Sequence, residues 1–305
     1  MMHSIVVAGL LLFSVAQGSQ PARPEATSLL GKPLVPAPIP AETRKTLEDN
    51  LKKAEIEHGK NPDDPDATIW RGRRQAYLGR YRDAIETYSE GIEKHPDDAR
   101  MYRHRGHRYI TVREFAKAIA DFTRAAQLVA GKPDQVEPDG QPNARNIPTS
   151  TLQSNIYYHL GLAHYLTGDL AKAADAYATC MTVSKNPDML VATTYWYYLT
   201  LARQGKSAEA AKLLQPISAD MEIIENGSYH RLLRVFKGDL TPESLLAPGT
   251  AGLDTVTTRY GLAAWHLAGG RKDQATTLLR EIVDGVPQQW PAFGYVAAEA
   301  DLSRK

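Results

Sequence analysis

Residues 101–110 read MYRHRGHRYI, three arginines and two histidines around one glycine, with no acid among them. Thirty-four residues earlier, inside TIWRGRRQAYLGRY (68–81), the same skeleton occurs. Gly72 aligns with Gly106, Arg71 with Arg105 and Arg74 with Arg108; downstream, Tyr81 aligns with Phe115, Ala84 with Ala118 and Tyr88 with Phe122. Pro62 and Pro96 keep the same spacing. Self-similarity at this period is the mark of stacked helix–turn–helix units. The residue types suit that reading. Glycine at 72 and 106 lets the first helix of a pair approach the second closely. Ala84 and Ala118 do the same from the second helix, and Tyr88 and Phe122, one turn further on, fill the space between successive pairs. One pair cannot cover its own apolar face, so neighbours must stack.

At these positions the chain resembles the tetratricopeptide repeat (TPR) family. The pattern returns in IYYHLGLAHYLTGDLAKAADAY through Tyr157, Leu160, Gly161, Gly168, Ala173 and Tyr177. Weaker copies follow at Gly205, Ala210 and Leu214, and at Ala263, Gly270, Ala275 and Leu279. The resemblance implies an all-α, right-handed TPR solenoid of about five helix pairs plus capping helices. The solenoid domain is assigned to 42–305, with repeats near 65–98, 99–132, 153–187, 190–217 and 256–288. Thr43–Gly59 is amphipathic at helical spacing and reads as an N-terminal cap; a helix at 291–302, opened by Pro291, is expected to cap the other end. The layout, including a short helix near SYHRLLRVFKGDL, is similar to that of the NlpI-type periplasmic TPR lipoproteins. That likeness implies an adaptor, possible as a homodimer, which holds cell-wall hydrolases and their protease. The lipidated cysteine of that group is absent here.

The N-terminus reads as an export signal. Ile5–Val15 is an apolar run too short to span a bilayer, followed by small residues, so a signal peptide is assigned to 1–18. Residues 19–41 carry six prolines and are expected to form an extended linker. These features predict a periplasmic or secreted protein with no stable membrane anchor after cleavage. The formal net charge of +1 gives no electrostatic footprint for nucleic acid. The single cysteine, Cys180, excludes an internal disulfide and a thiolate zinc cage.

No catalytic constellation is present: there is no nucleophile elbow, no phosphate loop and no HExxH spacing, so the expectation is a non-enzyme without cofactor or metal. His104 and His107 share a helix face, but spacing suggests no third ligand. The informative anomaly is the arginines. Ile69–Leu78 and Met101–Val112 carry six arginines and no acid. The family resemblance puts such first helices on the concave wall. A groove follows in which Arg73, Arg103, His104, His107 and Arg108 form a basic ledge, and Tyr158, His159, Tyr195 and Trp196 form an aromatic floor. The partner this suits is a protein or peptide with acidic and apolar anchors, arginine forking onto carboxylates; the alternative reading is a non-enzymatic or weakly metal-dependent subunit of a cell-envelope enzyme complex. Arg71 and Arg105 are instead expected to pair with acids of the second helices, such as Glu86 or Asp121. The insertion 131–150, with prolines at 133, 138, 142 and 148, should run extended and fold over the groove. Asp134, Glu137 and Asp139 would then lie near Arg103 or Arg108.

Overall fold

The computed structural model describes residues 23–246 and 252–304, so the assigned signal peptide lies outside the described residues. After helix α1 (Ala41–Lys60) come antiparallel pairs: α2 (Pro65–Tyr77) with α3 (Tyr81–Lys94), α4 (Ala99–Thr111) with α5 (Phe115–Val129), and α6 (Leu152–Thr167) with α7 (Leu170–Val183). α8 (Pro187–Arg203) pairs with the short α9 (Ser207–Leu213). α10 (Gly227–Lys237) follows, then the pair α11 (Leu253–Ala268) and α12 (Lys272–Gly285), and finally α13 (Phe293–Ser303). The first helices begin where a side chain satisfies an orphan backbone amide. Asp64 accepts from Asp66 N at 3.0 Å, Asp98 from Arg100 N at 2.9 Å, and Asn186 from Met189 N at 2.9 Å. Thr151 and Ser154 form a reciprocal capping box at α6.

Each helix pair turns through one residue with positive φ, which glycine adopts without a Cβ clash. Gly79, Gly168, Gly205 and Gly270 take this role at φ 77°, 86°, 75° and 73°. In repeat two the residue is Arg113, at φ 67°. Inside the pairs, glycine meets an aromatic ring. A Cβ on Gly72 would lie 2.5 Å from the Tyr88 ring, one on Gly161 2.7 Å from the Tyr177 ring, and one on Gly106 3.0 Å from the Phe122 ring.

Two segments depart from expectation. Residues 23–40 are folded onto the body as a small hairpin, β1 (Ala26–Thr27) pairing antiparallel with β2 (Pro33–Leu34), not as a free tether. Ala26 and Leu34 are buried, Glu25 caps the start of α3 through Arg82 N at 2.8 Å, and Val35 O accepts from Trp290 Nε1 at 2.7 Å. The prolines make the segment extended, and its apolar residues glue it down. α13, expected as a terminal cap, covers α11 and α12 and also enters the inner face of the array. It touches α6, Phe293 lies against His107 of α4, and Asp301 pairs with Arg203 of α8. Gly294 through Ala300 are all buried. The small residues at 294, 297, 298 and 300 let the helix be surrounded on every side.

Arg113 joins both departures. Its Nε and Nη2 each lie 3.0 Å from one oxygen of Glu299 in α13, and its other donors go to Thr111 O and to Trp290 O. Glu299 also accepts from Leu29 N of the hairpin at 3.2 Å. The first turn of the chain, repeat two and the last helix are thus tied at one buried ion pair.

Candidate functional site

The arginines of the first helices divide into two sets by what they bond. Arg105 forks onto Asp121 of α5 through two contacts of 2.8 Å. Arg71 lies 3.7 Å from Glu90, one turn beyond the expected Glu86. These two are structural. Arg73, Arg74 and Arg103 each place a donor on the strap formed by residues 131–150, while Arg73 also donates to Tyr77 Oη. Arg73 donates to Pro138 O at 2.7 Å and Arg74 to Gly140 O at 3.1 Å. Arg103 Nη2 is 3.0 Å from the Glu137 carboxylate, which Asn155 Nδ2 also reaches. The guanidinium groups of Arg73 and Arg74 also lie over the Trp70 ring, at 4.5 and 4.9 Å.

The strap is anchored at both ends. Val136 bridges Thr151, and Leu152 N donates to Gln135 O at 2.8 Å. At the far side Asn143 and Thr149 reach Glu225 at 2.8 and 2.6 Å, and Arg145 pairs with Glu222. Of the three acids expected near the ledge, Glu137 takes that place and Asp139 lines the same cleft. Asp134 accepts instead from the backbone of Gln153 in the first turn of α6.

Behind the strap lies a cavity of about 460 Å³, walled by Arg103, His107, Tyr158, His159, Tyr229 and Phe293 among others. A second, of about 340 Å³, sits under the strap between Arg73, Tyr77, His104 and Glu137. Arg103, Thr149, Ser150 and Glu225 line both. The imidazoles here are neutral. Burial and the nearby Arg108 and Arg103 hold His107 far below its ordinary value, and burial with Arg103 does the same to His104. Burial pushes His159 down to about 3. His159 Nδ1 donates to Asn155 O at 2.6 Å, and the His107 ring lies against His159, tilted by 37° with ring centres 4.6 Å apart. Arg103 donates to His104 Nδ1 at 3.0 Å, which leaves the proton of that ring on Nε2, 3.6 Å from Glu137. Among the described residues no group of three His, Cys, Asp or Glu is placed to hold a metal ion.

The expected residues therefore separate. Arg103, His107, Tyr158 and His159 line the central cavity, and Arg73 and His104 line the cleft under the strap. Arg108 is turned inward, its guanidinium 5.5 Å over the Tyr81 ring. Tyr195 and Trp196 are not floor residues: each is 1% exposed. Tyr195 stacks on Tyr229 of α10 at 4.4 Å, and Trp196 packs between Tyr165 and Tyr260. α10 and α11 cover the wall on which these two rings would have been open. The strap's contact through Glu137 matches the expectation, whereas its carbonyl contacts to Arg73 and Arg74, its anchors at Glu222 and Glu225, and Phe293 do not follow from the sequence, because nothing local says where a loop or a last helix returns.

A family model for the tetratricopeptide repeat matches residues 70–133. Curated proteins give no match. Among solved structures, the chain is similar to YrrB, described as a TPR protein with an unusual peptide-binding site, at 13% identity and TM-score 0.45 over 83% of this chain and 99% of that one. It is similar to MamA at 17% identity and TM-score 0.44, over 67% and 100%. A third likeness is to Naa15/Naa10 bound to HypK-THB, at 18% identity and TM-score 0.37, over 81% and 36%. Residues 70–133 thus carry the matched tetratricopeptide repeats, and the glycine–aromatic contact of Gly72 and Gly106 recurs at Gly161 in the third helix pair.

Proposed function

We propose that this protein is a non-catalytic, exported scaffold that binds an extended segment of a partner protein along the ledge of Arg73, Arg74 and Arg103. One observation carries the reading. Each of these arginines places a donor on a main-chain carbonyl or the carboxylate of an extended stretch of chain, whereas Arg105 forks onto Asp121 of a second helix and Arg71 lies 3.7 Å from Glu90. Carbonyl contacts suit any sequence, whereas a guanidinium–carboxylate contact selects an acid. The partner is a peptide with acidic and apolar anchors, the apolar part suited to the aromatic cavity beside the ledge. Export rests on the apolar run Ile5–Val15 and the small residues after it. The layout likeness to NlpI-type proteins supports an adaptor of the cell envelope.

The test is selection from a displayed library of random linear peptides on the purified chain. Enrichment of sequences that pair an acid with a bulky apolar residue is expected, and Arg73→Glu with Arg103→Glu should abolish it, since like charges facing each other cost several kcal/mol. No enrichment, or enrichment indifferent to the two reversals, would refute the proposal.

A further inference from the structure

The strap sits on the ledge with almost no apolar attachment. From 131 to 148, Gly140 is the one buried residue; Val136 is 60% exposed and Ile147 43% exposed. Apolar burial is the main term that fastens one chain segment to another, and the strap forgoes it. Beside it stands a cavity with Tyr158, Met189, Tyr229 and Phe293 in its wall and Leu253, 60% exposed, at its rim. The strap contributes Thr149 and Ser150 to that wall and no apolar side chain. Its grip on Arg103 is also incomplete. Glu137 meets Nη2, while Nε on the same edge of the guanidinium is buried without a hydrogen-bond partner.

We infer that residues 137–140 are a resident occupant of the partner site, displaced by an extended segment that carries an acid beside a bulky apolar side chain. This rests on the reading that the ledge binds a partner segment. The incoming carboxylate takes the place of Glu137 and engages Nε and Nη2 of Arg103 together, the side-on geometry that a guanidinium favours. The neighbouring aromatic or branched side chain fills the cavity that the strap leaves open. The same carbonyl contacts to Arg73 and Arg74 serve either chain. At the position of Gly140 a Cβ would collide with the Tyr77 hydroxyl, so the bound segment needs glycine there or passes further out. The partner adds apolar burial and a second guanidinium contact to what the strap already makes; that surplus drives the exchange. Because strap and partner claim the same donors, their binding is mutually exclusive, and the intact chain binds more weakly than the ledge alone would.

The experiment uses a fluorescein-labelled twelve-residue peptide built on Glu-Pro-Asp-Gly, the sequence at 137–140, with a tryptophan placed beside the glutamate. Anisotropy is measured with the intact chain, with Glu137→Gln, and with a chain whose residues 133–148 are replaced by a short Gly-Ser turn. Binding to the shortened chain is expected at least tenfold tighter than to the intact one, and Glu137→Gln should tighten it severalfold without changing the strap's length. Peptides lacking the tryptophan, or with glutamine for the glutamate, should each lose about tenfold on the shortened chain. Equal affinity for all three chains would overturn the inference yet leave ledge binding standing. Failure of the acidic peptide and of every library-selected peptide to bind any of them would overturn the functional reading as well. Where the shortened chain does not fold, the comparison of Glu137→Gln with the intact chain decides between these outcomes.

Discussion

Removing the side chain at position 113 separates what the turn needs from what the hub needs. Four of the five repeat turns put glycine at this place and repeat two puts Arg113 there, at φ 67°. A side chain in the left-handed region costs about 1 kcal/mol, which Arg113→Gly would recover. Against that stands the ion pair with Glu299, whose partners are 3% and 1% exposed. Breaking a buried pair by removing one partner costs about 3–5 kcal/mol, because the remaining charge stays desolvated. The net expectation for Arg113→Gly is a loss of about 2–4 kcal/mol, and for Arg113→Ala the full 3–5, since alanine keeps the strain. Equilibrium unfolding in urea measures both, and Trp290, 5.4 Å from the guanidinium, serves as the fluorescent reporter. If Arg113→Gly were as stable as the parent or more so, the pair would not tie the hairpin, repeat two and α13 together, and the account of how α13 is held inside the array would fail.

Three further outcomes follow from the interior. His104, His107 and His159 are held neutral in the fold while they titrate near 6.5 in the unfolded chain. Below that pH the unfolded chain binds protons that the fold excludes, so stability is full above about pH 7 and falls by about 2 kcal/mol per histidine at pH 5; urea midpoints should show the decline, and His159→Gln should make it shallower by about a third. Gly161→Ala should destabilise by about 1–3 kcal/mol against the fully buried Tyr177 ring, less about 1 gained in helix propensity, whereas Gly106→Ala should cost less because its contact is 3.0 Å; equal thermal shifts would contradict the close-approach argument. Burial raises the Cys180 thiol to about 11, so a thiol reagent should titrate nothing in the native chain and one group after unfolding.

How much of this could be read in sequence depends on how local each determinant is. The helix pairs were legible because a glycine, an alanine and an aromatic ring at fixed offsets meet within one unit. The structural role of Arg105 was legible too, since Asp121 lies on the paired helix. Tyr195 and Trp196 were misplaced because register fixes which face a residue occupies but not what later covers that face. α10 and α11, which cover them, arrive from well downstream in the chain. A signal for α13 existed in Gly294, Ala297, Ala298 and Ala300, a helix too small-sided to be a one-faced cap. A signal for the hub existed in Arg113, which stands where other repeats turn on glycine. The hairpin at 26–34 carried proline-rich composition, which tells extension from helix but not tether from docked strand. The strap's acids were in view, but which of them meets Arg103 depends on anchors at Thr151 and Glu225, outside the insertion's own pattern.

The central claim is that a partner segment and the strap occupy one ledge. Hydrogen–deuterium exchange of the intact chain, with and without a saturating library-selected peptide, tests it most directly. The reporters are Leu152 N, bonded to Gln135 O at 2.8 Å, and Gln153 N, bonded to Asp134 at 3.0 Å. Amide opening tracks the local free energy of release. With peptide bound, exchange at these amides and through residues 135–149 should quicken at least tenfold while the paired helices keep their protection. Slower exchange in the strap, or none of the change confined to it, would mean that the partner binds elsewhere or over the strap, and the shared-ledge account would be wrong.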